Sequence, residues 1–205
     1  MILKARLPVV VNSIIIINIP IFLLWMFSPQ IMEDHFAVSW TGLQQGRFWT
    51  LLTSVFSHFL FIHLFVNMFV LRSFGSLLER LMGHLLFLKF YLIAGLISSF
   101  THCFVSNYFV GKPDLPAVGA SGAIAGLILL FAMLFPKEKI LLFGIIPIPA
   151  FWGAMGFIGL DLWGLIEQTQ GGGLPIGHGA HLGGAFTGII YYFFFRRRAR
   201  QYRGI

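Results

Sequence analysis

Apolar runs alternate with short polar breaks along the whole chain, at about Leu7–Phe27, Phe56–Leu78, His84–Phe104, Gly119–Phe135, Ile140–Ile166 and His178–Phe195. A bilayer core of about 30 Å takes about 20 helical residues to cross, so the pattern predicts six membrane-spanning helices. The expected fold is therefore an all-α membrane bundle, one domain over residues 1–205. Lys4 and Arg6 precede the first run, which is the pattern of a signal peptide or of a first membrane helix. The run is long for a signal sequence and ends in Ser28-Pro29-Gln30 without a small-x-small cleavage site, which favours the helix. The connection from Ser28 to Val55 is long and sets Trp40, Phe48 and Trp49 among polar residues. Such aromatics favour the membrane interface, so this first outer loop reads either as partly embedded and non-spanning or as an ordinary interfacial loop.

Composition agrees with the pattern. Of 205 residues, 58% are hydrophobic and 10% charged, and the 24 phenylalanines exceed what a soluble domain of this size can bury. The net charge of +7 does not point to nucleic acid, because the basic residues gather at the termini and in polar breaks rather than on one face. They read as topology determinants instead. With Lys4 and Arg6 at one end and Arg196, Arg197, Arg198, Arg200 and Arg203 at the other, the positive-inside rule puts both termini in the cytoplasm. Arg80, Lys137 and Lys139 then fall inside, whereas Glu33, Asp34, Asp114 and Glu167 fall outside with Arg47 and Lys112. No Arg- and Ser-rich transit peptide precedes the apolar run, so a bacterial inner membrane is the expected location, with a related organelle membrane as the alternative. The single cysteine, Cys103, excludes an internal disulfide and a Cys-based metal site. Nothing in the sequence specifies an oligomeric state.

Polar groups inside a bilayer are costly, so those present deserve a function or a partner. Ser121 lies between small residues in Gly119-Ala120-Ser121-Gly122, where the fourth span begins at the outer surface. Small neighbours admit a substrate backbone, and the free amides of a first helical turn can stabilise an oxyanion. Gly122 and Gly126 also stand four apart, as in a small-residue helix-packing site. His181, Gly184 and Gly188 share one face of the sixth span, which runs in the same direction as the fourth. Ser121 and His181 are thereby expected at one depth, as a nucleophile and its general base. On the second span His63 and Asn67 lie four apart, and they are either satisfied by neighbouring helices or donate to an oxyanion. His178 reads as an interfacial residue. His58, His63, His178 and His181 would also suit zinc, but no H-E-x-x-H helix occurs and Asp161 and Glu167 lack ligand spacing to them; no metal or other cofactor is expected.

Taken together, Glu79-Arg80-x2-Gly83, His63-x3-Asn67, GASGAIAG at 119–126 and AHLGG at 180–184 resemble the rhomboid family of intramembrane serine proteases, from Gly46 to about Gly188. The resemblance implies a six-helix rhomboid-like bundle with a Ser121–His181 dyad and no aspartate completing a triad. It implies His63, Asn67 and the Ser121 backbone amide as the oxyanion hole, and transmembrane proteins in the lipid bilayer as substrates. Glu79 and Arg80 would tie a turn at the inner end of the second span. Two positions depart from the family pattern. Thr50 follows Trp49 where many members have Trp-Arg, and Ala125 stands four after the serine where many have an aromatic on the catalytic ring. Another group must then hold His181, or the ring is looser. Two competing readings are a rhomboid-like pseudoprotease that binds membrane clients without cutting them, and a small transporter or channel. The latter would need paired charges or broken helices along a path, whereas the polar residues here gather at one face.

Overall fold

Apolar residues at nearly every position make the first element a helix, α1 (Val9–Phe27), of which Val11, Ile14 and Asn18 are buried. The computed structural model describes residues 7–142 and 145–203, without the side chains of 142 and 197–203. Lys4 and Arg6 lie outside the described residues, as do the side chains of Arg197, Arg198, Arg200 and Arg203. After α1 the chain forms the short helices α2 (Pro29–Phe36), α3 (Trp40–Gln44) and α4 (Thr50–Thr53), then a 3-10 turn at Ser54–Phe56. Next, α5 (Phe61–Val70) runs through a π-helical turn at Leu71–Gly75 into α6 (Ser76–Met82). Gly83, at φ +83°, reverses the chain into α7 (His84–Tyr108). The remaining elements are α8 (Ser121–Leu134), the antiparallel hairpin β1 (Lys139–Leu142) and β2 (Ile146–Pro149), α9 (Ala150–Thr169) and α10 (His178–Arg203).

Among the described residues, three helical stretches are long and apolar enough to cross a membrane: Val9–Phe27, Phe61–Met82 and His84–Tyr108. Their outward faces are apolar as well. Phe61, Phe65 and Phe69 are all exposed and stack along one side of α5. Lipid is the solvent in which such a surface is stable.

The shorter α8 is the axis of the core, with Leu127, Leu129, Leu130 and Leu134 all buried. Its glycines set it directly against α10. A Cβ on Gly184 would stand 1.8 Å from the Gly122 carbonyl oxygen, and one on Gly188 would stand 2.4 Å from that of Gly126. Backbone therefore meets backbone, the close approach that small residues permit in membrane helices.

Several boundaries differ from the sequence expectation. The second helix starts at Phe61 rather than near Phe56, because Ser54–Phe56 forms its own turn. The fifth helix starts at Ala150 rather than Ile140. Pro147 and Pro149 lack an N–H, and the alternating isoleucines around them pair as strands, with Leu141 opposite Pro147. Helix α7 runs to Tyr108, and the arginines beyond Phe195 continue α10 to Arg203. The loop after α1 is mostly helical. It is tied to the segment before Ser121 by paired amide bonds between Val38 and Ala117, and Trp40 packs edge-on against Tyr108. Arg47 does not occupy a Trp-Arg position but pairs with Asp34 at 2.8 Å, while Thr50 is buried and donates to the Arg47 carbonyl.

Candidate active site

Ser121 is the first residue of α8, a position whose amide has no intrahelical acceptor. Its Oγ lies 3.0 Å from Nε2 of His181, in the first turn of α10. The two α8–α10 glycine contacts bring these residues together, since His181 precedes Gly184 by three positions and Ser121 precedes Gly122 by one. The geometry is that of a hydroxyl donating to an imidazole nitrogen.

The other face of the imidazole is held by α9. His181 Nδ1 lies 2.9 Å from Asp161 Oδ1, and the same oxygen lies 2.8 Å from His178 Nδ1. Asp161 and His178 are almost completely buried, at 4% and 6% exposure. Asp161, set aside in the sequence for want of ligand spacing to the histidines, is therefore a polar residue to which no role had been given. The resemblance implied no aspartate behind the histidine, and the chain has one in hydrogen-bond contact with it. His178, read as interfacial, is likewise enclosed. Gly164 makes room for it, because a Cβ there would stand 2.3 Å from the His178 ring.

Phe157 supplies what Ala125 lacks. Its ring centre lies 5.4 Å from that of His181 with the planes inclined at 32°. Phe157, Asp161 and Gly164 are spaced four and three apart on α9, so one helical face carries the ring support, the carboxylate and the space for the second histidine. The one signal that could have found it is this spacing, Phe-x3-Asp-x2-Gly, read together with the two histidines.

His63 and Asn67 line the same cavity as Ser121 and His181, a space of about 580 Å³. Asn67 donates one Nδ2 hydrogen to the His63 carbonyl at 2.8 Å, which leaves its second hydrogen free to turn to another acceptor. The His63 ring sits against Gly119, whose φ of +128° and missing Cβ are both required, since a Cβ would stand 2.6 Å from the imidazole. His58 lies behind it. The Ala120 amide donates to His58 Nε2 at 3.2 Å, and the His58 and His63 rings meet edge-to-face at 5.0 Å. The four histidines considered as one zinc set are thus two pairs, one on the Ala120 and Gly119 backbone and one on Asp161.

The sequence matches the Rhomboid domain over residues 45–198. It is 34% identical over 194 residues to RHOMBOID-like protein 12, mitochondrial, of Arabidopsis thaliana, covering 88% of this chain and 56% of that protein. It is 32% identical over 200 residues to Rhomboid protein 1, mitochondrial, of Saccharomyces cerevisiae, covering 94% and 55%. It is 36% identical over 146 residues to the human Presenilin-associated rhomboid-like protein, mitochondrial, covering 69% and 36%. The chain thus spans about half the length, or less, of these relatives. Their mitochondrial setting overturns the expected bacterial inner membrane, and the cytoplasmic assignment of the termini falls with it. That expectation leaned on the composition of the first residues, where a chain covering half of its relatives carries no such information. The motifs, the domain match and the relatives agree: the chain belongs to the rhomboid family.

Proposed function

We propose that the protein is a serine endopeptidase that hydrolyses peptide bonds in or near transmembrane segments of other membrane proteins. The observation that carries this reading is the 3.0 Å contact between Ser121 Oγ and His181 Nε2 inside a cavity that His63 and Asn67 also line. His181 takes the hydroxyl proton as Oγ bonds to the scissile carbonyl carbon, then gives it to the leaving amine as the C–N bond breaks. Water then attacks the acyl-enzyme, its proton passes through His181 back to Ser121, and the new carboxyl end leaves. The Ser121 amide, His63 and Asn67 hold the oxyanion in both steps. Removing one such donor costs on the order of 10²–10³ in rate. No cofactor is needed for this chemistry.

The bundle we propose has six spans in one domain: α1, α5 with α6, α7, α8, α9 and α10. Helix α8 has 14 residues, which is about 21 Å against the roughly 30 Å of a bilayer core. Ser121 then sits below the outer boundary, and the cavity is the path by which water reaches it. A substrate must unwind locally to present its backbone there, so glycines and other helix-weakening residues in the substrate lower that cost. The setting we propose is a mitochondrial membrane, as in the relatives' names.

The test is cleavage of a single-span reporter in liposomes by wild type, Ser121→Ala and His181→Ala. Product from wild type alone supports the reading. Folded wild type that binds several substrates and cuts none would replace it with a client-binding role.

A further inference from the structure

We propose that Asp161 is a positioning residue for His181 and that His178 is the second donor that holds Asp161 in place. This rests on the serine-peptidase reading and extends its dyad into a supported chain, Ser121 to His181 to Asp161, with His178 behind.

A carboxylate oxygen can only accept, so the two contacts at Asp161 Oδ1 fix both imidazoles with hydrogen on Nδ1. His181 is then left with a lone pair on Nε2, the atom facing the Ser121 hydroxyl. Only this tautomer can accept the serine proton. Were the hydrogen on Nε2 instead, the base would present a donor to the nucleophile and the first step would stop. The carboxylate also stabilises the imidazolium that forms during attack, in a setting where water is scarce.

His178 does for Asp161 what Asp161 does for His181. One carboxylate oxygen between two imidazole donors has its direction fixed by both, and the three side chains are locked among α9 and α10. Gly164 is part of the device, since the His178 ring occupies the space that any side chain there would fill. The surroundings leave Asp161 Oδ2 and His178 Nε2 without protein partners among the described residues. A cluster serving only to satisfy buried polarity would not concentrate two donors on one oxygen and leave the other bare. The arrangement instead directs both histidines toward a single acceptor, one of them with its other ring nitrogen on Ser121.

The experiment compares wild type with Asp161→Asn, His178→Gln and Gly164→Ala in liposomes, with steady-state cleavage, labelling of Ser121 by a fluorophosphonate, and nitrogen NMR of histidine-labelled protein in bicelles. Asp161→Asn keeps the side-chain shape but offers the His181 ring an amide that can donate, releasing the tautomer. Its kcat and labelling rate should fall together by about 10²–10⁴-fold with KM within a few-fold. The His181 resonances, identified by their loss in His181→Ala, should shift from the Nδ1–H form to a mixture. His178→Gln and Gly164→Ala should each lower kcat by about tenfold and should not add, because both empty the same contact. The inference is overturned if wild type cleaves while Asp161→Asn keeps its kcat and the His181 tautomer. Should Asp161→Asn fail to fold, the other two variants decide: an unchanged kcat in either overturns it. A wild type that neither cuts nor takes the label defeats the peptidase reading itself, which is a separate outcome.

Discussion

Changing Gly184 to alanine tests whether the α8–α10 contact sets the reacting distance. The added Cβ would stand 1.8 Å from the Gly122 carbonyl oxygen and close to the Gly122 carbonyl carbon, both backbone atoms that cannot swing aside. An ordinary carbon–oxygen contact is about 3.3 Å, so the two helices must part by roughly 1.5 Å at this level. His181 lies one turn before Gly184 on the same face. If the separation is carried through that turn, the 3.0 Å Ser121–His181 contact opens past the hydrogen-bond limit of about 3.2 Å. Overpacking of this kind costs about 1–3 kcal/mol of stability, while a misplacement of about 1 Å at the reacting atoms costs on the order of 10²-fold in rate. Activity should therefore fall much further than stability. Reporter cleavage in liposomes and thermal unfolding in detergent measure the two. Gly156→Ala and Gly159→Ala are the controls, since a Cβ at either position of α9 meets nothing within 4 Å. Both controls should keep their activity and gain up to about 1 kcal/mol of helix propensity. A folded Gly184→Ala protein cleaving within threefold of wild type would refute the claim that this backbone contact holds the dyad.

Two further outcomes follow from named contacts. Phe157→Ala removes the ring beside His181, and an aromatic pair of this kind is worth about 0.5–1.5 kcal/mol, so kcat should drop up to about tenfold while Phe157→Tyr stays near wild type. Equal kcat for all three proteins would show that Phe157 does not stand in for the aromatic missing at Ala125. Glu79→Ala should lower the unfolding temperature by several degrees without touching the site. The buried Glu79 carboxylate accepts the Val10 and Val11 amides at 2.8 Å each and also meets His84, capping an α1 whose own N-cap residue, Pro8, makes no side-chain bond. Charge-assisted bonds are worth roughly 1.5–3 kcal/mol, and an unfolding temperature equal to wild type would show that α1 is held by other contacts.

Helices and small-residue seams were legible because each is a property of local spacing. Most of the apolar runs form helices, the proline-bearing start of the fifth excepted, and glycines at His181-x2-Gly184-x3-Gly188 announce one close face by themselves. The pairing of Ser121 with His181 could be reached by adding only chain direction to that spacing. Glu79 was placed at a turn, yet its actual work, capping a helix that starts near residue 9, depends on a contact about 70 positions away that no local pattern encodes.

The face of α9 was illegible for the same reason. With the fifth span drawn from Ile140, the proline-bearing hairpin was counted as membrane helix. Asp161 was weighed only for its spacing to the histidines along the chain, a local criterion that contacts between helices do not obey. In α9 Asp161 is the twelfth residue, in the half that leads on toward Gly177 and His178. The packing of α9 on α10 brings its carboxylate to two imidazoles. An unpaired charge in lipid is expensive enough that its partner should be sought before it is read as incidental. Here the partners were a His at each end of Gly179-Ala180, and the cost of burying Asp161 is met only if both are engaged. Whether the base stands alone or is supported is thus decided by contacts 17 and 20 positions apart in the chain.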